Sequence, residues 1–173
     1  MTLLVRHPDT PPGAVQAIDA ELARVPGGAV AAFSVVGDLA HLIVPARARA
    51  ERSPDLWRTT CFELFVGSEG SAYREFNFSP SGAWAAYSFD DYREGMCDAP
   101  AAIDIEVFPT GRSLHLVAKI EAEFPNPARV GLTAVIAQDD GAIRYWATSF
   151  APGDPDFHAP AVRSLLFDGV GTE

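Results

Sequence analysis

Two short segments, TTCFELFVG and YREFNFSP, carry the residues of this chain best suited to chemistry. Successive side chains of a β-strand face opposite ways. Between Thr60 and Val66, one face then carries Phe62, Leu64 and Val66, and the other carries Cys61, Glu63 and Phe65. Between Tyr73 and Ser79, one face carries Phe76 and Phe78, and the other carries Tyr73, Glu75 and Asn77. If the two apolar sets share a core, the opposite face gathers two carboxylates, an amide and two rings. A few polar groups among aromatic ones are what a shallow ligand cleft is made of. Trp57 precedes the first segment and Trp146 lies in the later IRYWATSF. An indole offers a flat apolar face that matches the C–H face of a sugar ring, and an N–H donor at its edge. Two indoles with a carboxylate between them would clamp a sugar; the plainer use of large aromatics is burial in a core. Glu63 and Glu75 also suit paired catalytic carboxyls, which stand roughly 5–10 Å apart across a scissile glycosidic bond. Ligand binding, or an ion pair with Arg74 or Arg93, is the plainer use of the two.

Other constellations are weaker. GDPDFH sets Asp154, Asp156 and His158 at alternating positions, where they could face one cation. No HxxxH or CxxC spacing accompanies them, and the composition suits Asx turns. The expectation is a structural segment with Asp154 and Asp156 capping turns. Cys61 could act as a nucleophile with His115 or His158, but it stands in a strand with no motif around it, which reads as packing. Met96 with either histidine could ligate haem, yet no CxxCH is present. There is no GxGxxG, P-loop or GxSxG. No catalytic residue, metal or cofactor is expected.

The elements that must position these residues are mostly strands. AVQAIDAELARVPGG places Val15, Ile18 and Leu22 at helical spacing before Gly27 and Gly28, which predicts a helix from Ala14 to Arg24. AVAAFSVVG and LAHLIVP flank Gly37-Asp38 and predict a hairpin. Further strands follow in AWAAYSF, AIDIEVFP, SLHLVAKIEA, VGLTAVIAQ, IRYWATSF and VRSLLFD, with turns at SEGS, SPSG, PTGR, PNPA and DDGA. After SPSG, Trp84 and Tyr87 fall on opposite faces, so one of them can join the polar side. About ten short turn-bounded strands with one helix argue for an antiparallel β-sandwich.

A length of 173 residues suits one domain, expected over 1–173. The net charge of −10 makes nucleic acid or an anionic membrane an unexpected partner. The cluster Arg47, Arg49, Arg52 and Arg58 reads as a solvated loop. The first residues, MTLLVRHPDTPPG, lack the pattern of a signal peptide. No apolar run approaches the roughly 18 residues of a membrane span. Two cysteines, Cys61 and Cys97, fit a reducing compartment. A cytoplasmic location is expected.

The string LWRTTCFELFVGSEGSAYREFNFSPSGAWAAYSFDDYREGM, with GDLAHLIVP upstream and YWATSFAPGDPDFHAP downstream, resembles the DOMON-like, carbohydrate-binding-module-family-9-like proteins. The resemblance runs from about His7 to Phe167, and its central string and PDFH are similar to one bacterial subgroup of single-domain members. It implies a β-sandwich that binds a sugar or, in other branches, haem. In the sugar-binding members two tryptophans stack on the sugar and a glutamate binds its hydroxyls. The W-x5-E pattern is met by Trp57 and Glu63, Trp146 takes the place of the second tryptophan, and Asn77 matches an asparagine in the next strand. Glu75 stands where sugar binders can carry arginine, which changes both charge and donor pattern. The expected function is therefore non-enzymatic binding of a small sugar-like ligand by Trp57, Glu63, Glu75, Asn77 and Trp146. The alternatives are an enzyme acting on a glycan or nucleotide-sugar through Glu63 and Glu75, and an interaction module with no small ligand.

Overall fold

The computed structural model describes residues 1–67 and 69–169. Thirteen strands follow one another: β1 (Thr2–Leu3), β2 (Val5–Arg6), β3 (Val15–Val25), β4 (Gly28–Gly37), β5 (Cys61–Gly67), β6 (Tyr73–Phe78), β7 (Trp84–Phe89), β8 (Cys97–Asp98), β9 (Ala102–Thr110), β10 (Ser113–Glu121), β11 (Ala128–Ala137), β12 (Ile143–Ala147) and β13 (Leu165–Phe167). They form two antiparallel sheets. The smaller has the order β1-β3-β4-β10-β9, and the larger β2-β12-β11-β5-β6-β7-β8, with β13 also pairing β11. Inward-facing residues of both sheets share one core, including Ile18, Phe33, Leu116 and Ile120 from the smaller and Phe62, Leu64, Phe76, Phe78, Leu132 and Trp146 from the larger. This is the expected sandwich. No helix among the described residues is long and apolar enough to cross a membrane.

Two expectations are corrected. The segment from Ala14 to Arg24 is not a helix; it is most of β3, paired with β4 along its length. The pairing shifts between Val15 and Ala17, a β-bulge. Beyond it Ile18 and Ala20 are buried and Leu22 packs on the same core, a period of two. The bulge inserts one extra residue, so Val15 and Ile18 share a face three positions apart and imitate a helical turn. LAHLIVP is not the second arm of a hairpin either. Asp38 accepts from the Ala40 amide and caps a single 3-10 turn, Leu39–His41, and only Leu42 bridges to the sheet, at Gln138. The partners of β4 are β3 and β10.

The larger sheet is covered on both sides. Of its outer face, Phe65, Tyr73, Phe89, Val135 and Ala147 form a second apolar cluster with Phe157 and Val162 from the segment that follows β12. This explains why β5 and β11 read as nearly unbroken apolar runs: strands buried on both faces lose the alternation of half-exposed ones. The covering segment lies close. A Cβ at Gly131 would come within 2.4 Å of the Val162 carbonyl oxygen, so only glycine fits at that crossing.

Candidate functional site

The pairing of β5 with β6 sets Glu63 opposite Asn77 and Phe65 opposite Glu75. Phe62, Leu64, Val66, Phe76 and Phe78 face the inter-sheet core, and Glu63, Glu75 and Asn77 share the other face. Neighbouring strands complete it. Tyr87 of β7 stands opposite Glu75, and Thr133 of β11 opposite Glu63. Trp84, at the other parity, packs on the core. The carboxylates are deeply covered, 2 % exposed at Glu63 and 6 % at Glu75, and Asn77 is fully buried. Glu63 and Glu75 are diagonal neighbours on adjacent strands, a placement with Cα atoms about 7–8 Å apart.

Polar satisfaction is incomplete. Thr133 Oγ1 donates to Glu63 Oε2 over 3.1 Å. Neither the Asn77 amide nitrogen nor its oxygen meets a hydrogen-bond partner of ordinary geometry. Buried side-chain amides are nearly always paired, and an orphaned donor or acceptor costs about 1–3 kcal/mol.

Electrostatics follow from burial. Glu63 is pushed well above the usual carboxylate range by desolvation, then by the charge of Glu75, against the hydrogen bond from Thr133. Desolvation raises Glu75 to about 7, opposed by the nearby Asn77 amide and the Arg93 guanidinium. Cys61, on the same face, is raised by burial and by both carboxylates, so it stays a thiol and no nucleophile.

The segment GDPDFH latches over one end of this face. Arg93 N–H donates to the Tyr73 hydroxyl over 3.1 Å, and that hydroxyl lies 2.7 Å from His158 Nδ1. The other ring nitrogen, Nε2, lies 3.7 Å from Glu75 Oε2. Distance alone would make this an ion pair. It is not one near neutral pH, because desolvation, helped by Arg93, holds the imidazole down at about 4. Asp156 ties the latch: it accepts from the His158 amide, from Tyr92 Oη and from Arg93 Nη2. The Asx turn expected at Asp156 is present. Among the described residues no cluster of three or more histidine, cysteine and acidic side chains could hold a metal.

The two expected tryptophans part company. Trp57 is half exposed and sits on the 3-10 turn Leu56–Arg58, which packs against β5 and β6. The Arg58 guanidinium lies 5.1 Å from the centre of its ring. Trp146 pairs with Ala134 on β11, and Ala134 with Phe62 on β5. Its ring is therefore in the inter-sheet core, on the opposite side of the sheet from Glu63. Trp146 is corrected from a ligand face to a packing residue, and the two-indole clamp with it. Tyr87 is the one of the pair Trp84 and Tyr87 that joins the polar side, whereas Thr133 and the Tyr73–His158–Asp156 latch escaped the sequence reading. A lone threonine in the apolar run RVGLTAVIA was the available signal for Thr133. Two surface hollows lie elsewhere, one of about 390 Å³ lined by His7, Asp9 and Phe150, the other of about 730 Å³ beside Asn126 and Arg129.

No protein-family model and no curated protein matches this chain. A solved protein of Bacteroides uniformis, provisionally described as carbohydrate-binding, is similar to it. The two share 14 % sequence identity, with a TM-score of 0.60 over 93 % of this chain and 81 % of the other. They share a fold. At that identity the likeness extends to the β architecture and no further.

Proposed function

We propose that the chain is a single-domain, non-enzymatic, cytoplasmic sandwich of the DOMON-like, carbohydrate-binding-module-family-9-like kind that holds a sugar-like ligand on the outer face of its larger sheet. Glu63, Glu75 and Asn77 supply the polar contacts and Trp57 an apolar face at the rim. One observation carries the reading: the Asn77 side-chain oxygen, buried with no donor beside two carboxylates that have no strong cationic partner, while its amide nitrogen reaches only toward Glu75. A protonated carboxyl offers one donor and one acceptor, an amide offers both, and adjacent hydroxyls of a sugar are matched to such pairs. The sequence resemblance and the shared fold with a protein provisionally described as carbohydrate-binding support it further.

The test is a panel of mono- and disaccharides followed by calorimetry and by saturation-transfer NMR, on wild type and on Asn77→Ala, Glu63→Gln and Trp57→Ala. Binding that is lost in the first two variants and weakened in the third, with circular dichroism unchanged, is the expected result. If no sugar binds, the orphaned amide is met by water alone and the interaction-module reading replaces this one. A second reading, glycan hydrolysis, is favoured by one feature, a carboxyl held at about 7 beside another. New anomeric signals in the same NMR samples would establish it.

A further inference from the structure

The charge of this site narrows its ligand. Two carboxylates are buried side by side, and the cations near them are committed to other groups. Arg93 is held by Asp156 and Tyr92. Arg163 donates to the His158 carbonyl and lies over the Tyr73 ring at 4.6 Å. Arg52 donates to the Ala86 and Ala99 carbonyls and lies near Asp98. The other groups facing the pair add no positive charge at neutral pH: Cys61 is a thiol, Tyr73 and Tyr87 are phenols kept protonated chiefly by burial, and His158 is neutral. Asp55 and Asp98 add negative potential at Tyr87. A buried charge needs a partner or a proton. A proton on a carboxyl meets that need where no cation is at hand. The unsatisfied oxygen of Asn77, which shares β6 with Glu75 and stands opposite Glu63 of β5, marks a third acceptor with no donor aimed at it.

We propose that the ligand is a cationic amine on a polyhydroxylated frame, an amino sugar or amino polyol, whose ammonium docks among Glu63, Glu75 and the Asn77 oxygen. This deepens the sugar-binding reading and rests on it. Three N–H donors meet three acceptors, and the polyol reaches toward Trp57, where a cation also gains from an indole face. Docking exchanges one positive charge for another: a carboxyl O–H bond breaks, its proton leaves to solvent, and the ammonium enters with its own protons intact. Binding is therefore coupled to proton release.

The experiment titrates wild type with glucosamine, with 6-amino-6-deoxyglucose and with glucose at pH 7, in two buffers of different ionisation enthalpy. Either amino sugar is expected to bind roughly tenfold or more tighter than glucose, which is about 1.4 kcal/mol, with net proton release that glucose lacks. Glu75→Gln should bring the amino sugar to the level of glucose and remove the proton release. Glucose binding as tightly as both amino sugars overturns the amine while leaving the sugar reading intact. Amino-sugar preference without proton release, or one that survives in Glu75→Gln, overturns the docking site. Silence from all three overturns both readings.

Discussion

Replacing Glu75 by glutamine should make the protein more stable at neutral and alkaline pH. The carboxyl titrates at about 7 in the folded chain against 4.5 for the free side chain. The folded state thus binds the proton more tightly than the unfolded state. The stability this confers is complete below pH 4.5 and is lost as pH rises toward 7. At about 1.4 kcal/mol per pH unit the whole effect is on the order of 3 kcal/mol. Glutamine keeps the shape and cannot ionise, so the variant escapes the loss. It also relieves Glu63, whose carboxyl feels the Glu75 charge. His158 works in the opposite direction: its folded value of about 4 lies below the ordinary 6.5, so its contribution is present above pH 6.5 and lost toward pH 4. Wild type alone would show a mixture of the two. His158 is present in both proteins, so most of its own contribution cancels in the difference, which reports the Glu75 carboxyl together with its coupling to Glu63 and His158. Urea unfolding followed by tryptophan fluorescence at intervals from pH 4.5 to 8 reads that difference. The gap should be near zero at the acid end, open through pH 5–7 and then level off at a few kcal/mol. A pH-independent gap, or a variant less stable than wild type at pH 8, would refute the buried-carboxyl reasoning.

Further expectations concern packing and the covering segment. Phe76→Ala removes a fully buried ring stacked on Phe124 at 5.6 Å, and should cost about 3–5 kcal/mol in the same urea assay. The two tryptophans should separate: Trp146→Ala should cost about 3–5 kcal/mol as a core truncation, whereas Trp57→Ala should stay within roughly 0.5 kcal/mol. Gly131→Ala forces a methyl group against the Val162 carbonyl and should lose about 1–3 kcal/mol, with limited proteolysis opening first between Phe150 and Val162. Asp156→Ala removes the acceptor for Tyr92, Arg93 and the His158 amide, and the same stretch should become the earliest cleavage site.

The legible parts of the molecule are those where one local rule governs. Alternation in β5 and β6 assigned each side chain to its face, because a strand has period two whatever covers it. The helix expected over β3 failed at a single inserted residue, since a bulge shifts the phase and leaves a spacing of three that no local pattern distinguishes from a helical turn. Trp146 was misplaced for another reason: its face depends on the register of β12 against β11, which is set by the turn around Gly141 and not by its neighbours in sequence. The latch of Tyr73, His158 and Asp156 joins residues far apart in the chain, and only the folded segment after β12 brings them together. The acidity of the site was readable as composition, but its burial was not.

The first six residues visit both sheets. Thr2 and Leu3 pair with Asp19 and Ala20 of the smaller sheet, and Val5 and Arg6 pair with Trp146 and Ala147 of the larger. Leu4, buried between them, still donates its amide to Ile18. One short ribbon therefore rivets the rims of the two layers and fixes their mutual offset. A load applied at the amino terminus would meet the bonds to the smaller layer first and those to the larger layer next, and through this ribbon neither layer could slide on the other until one of the two sets had given way. The same rivet joins Val5 and Arg6 to Trp146 and Ala147, so the larger layer cannot close until residues far apart in sequence have met, an arrangement that favours slow assembly.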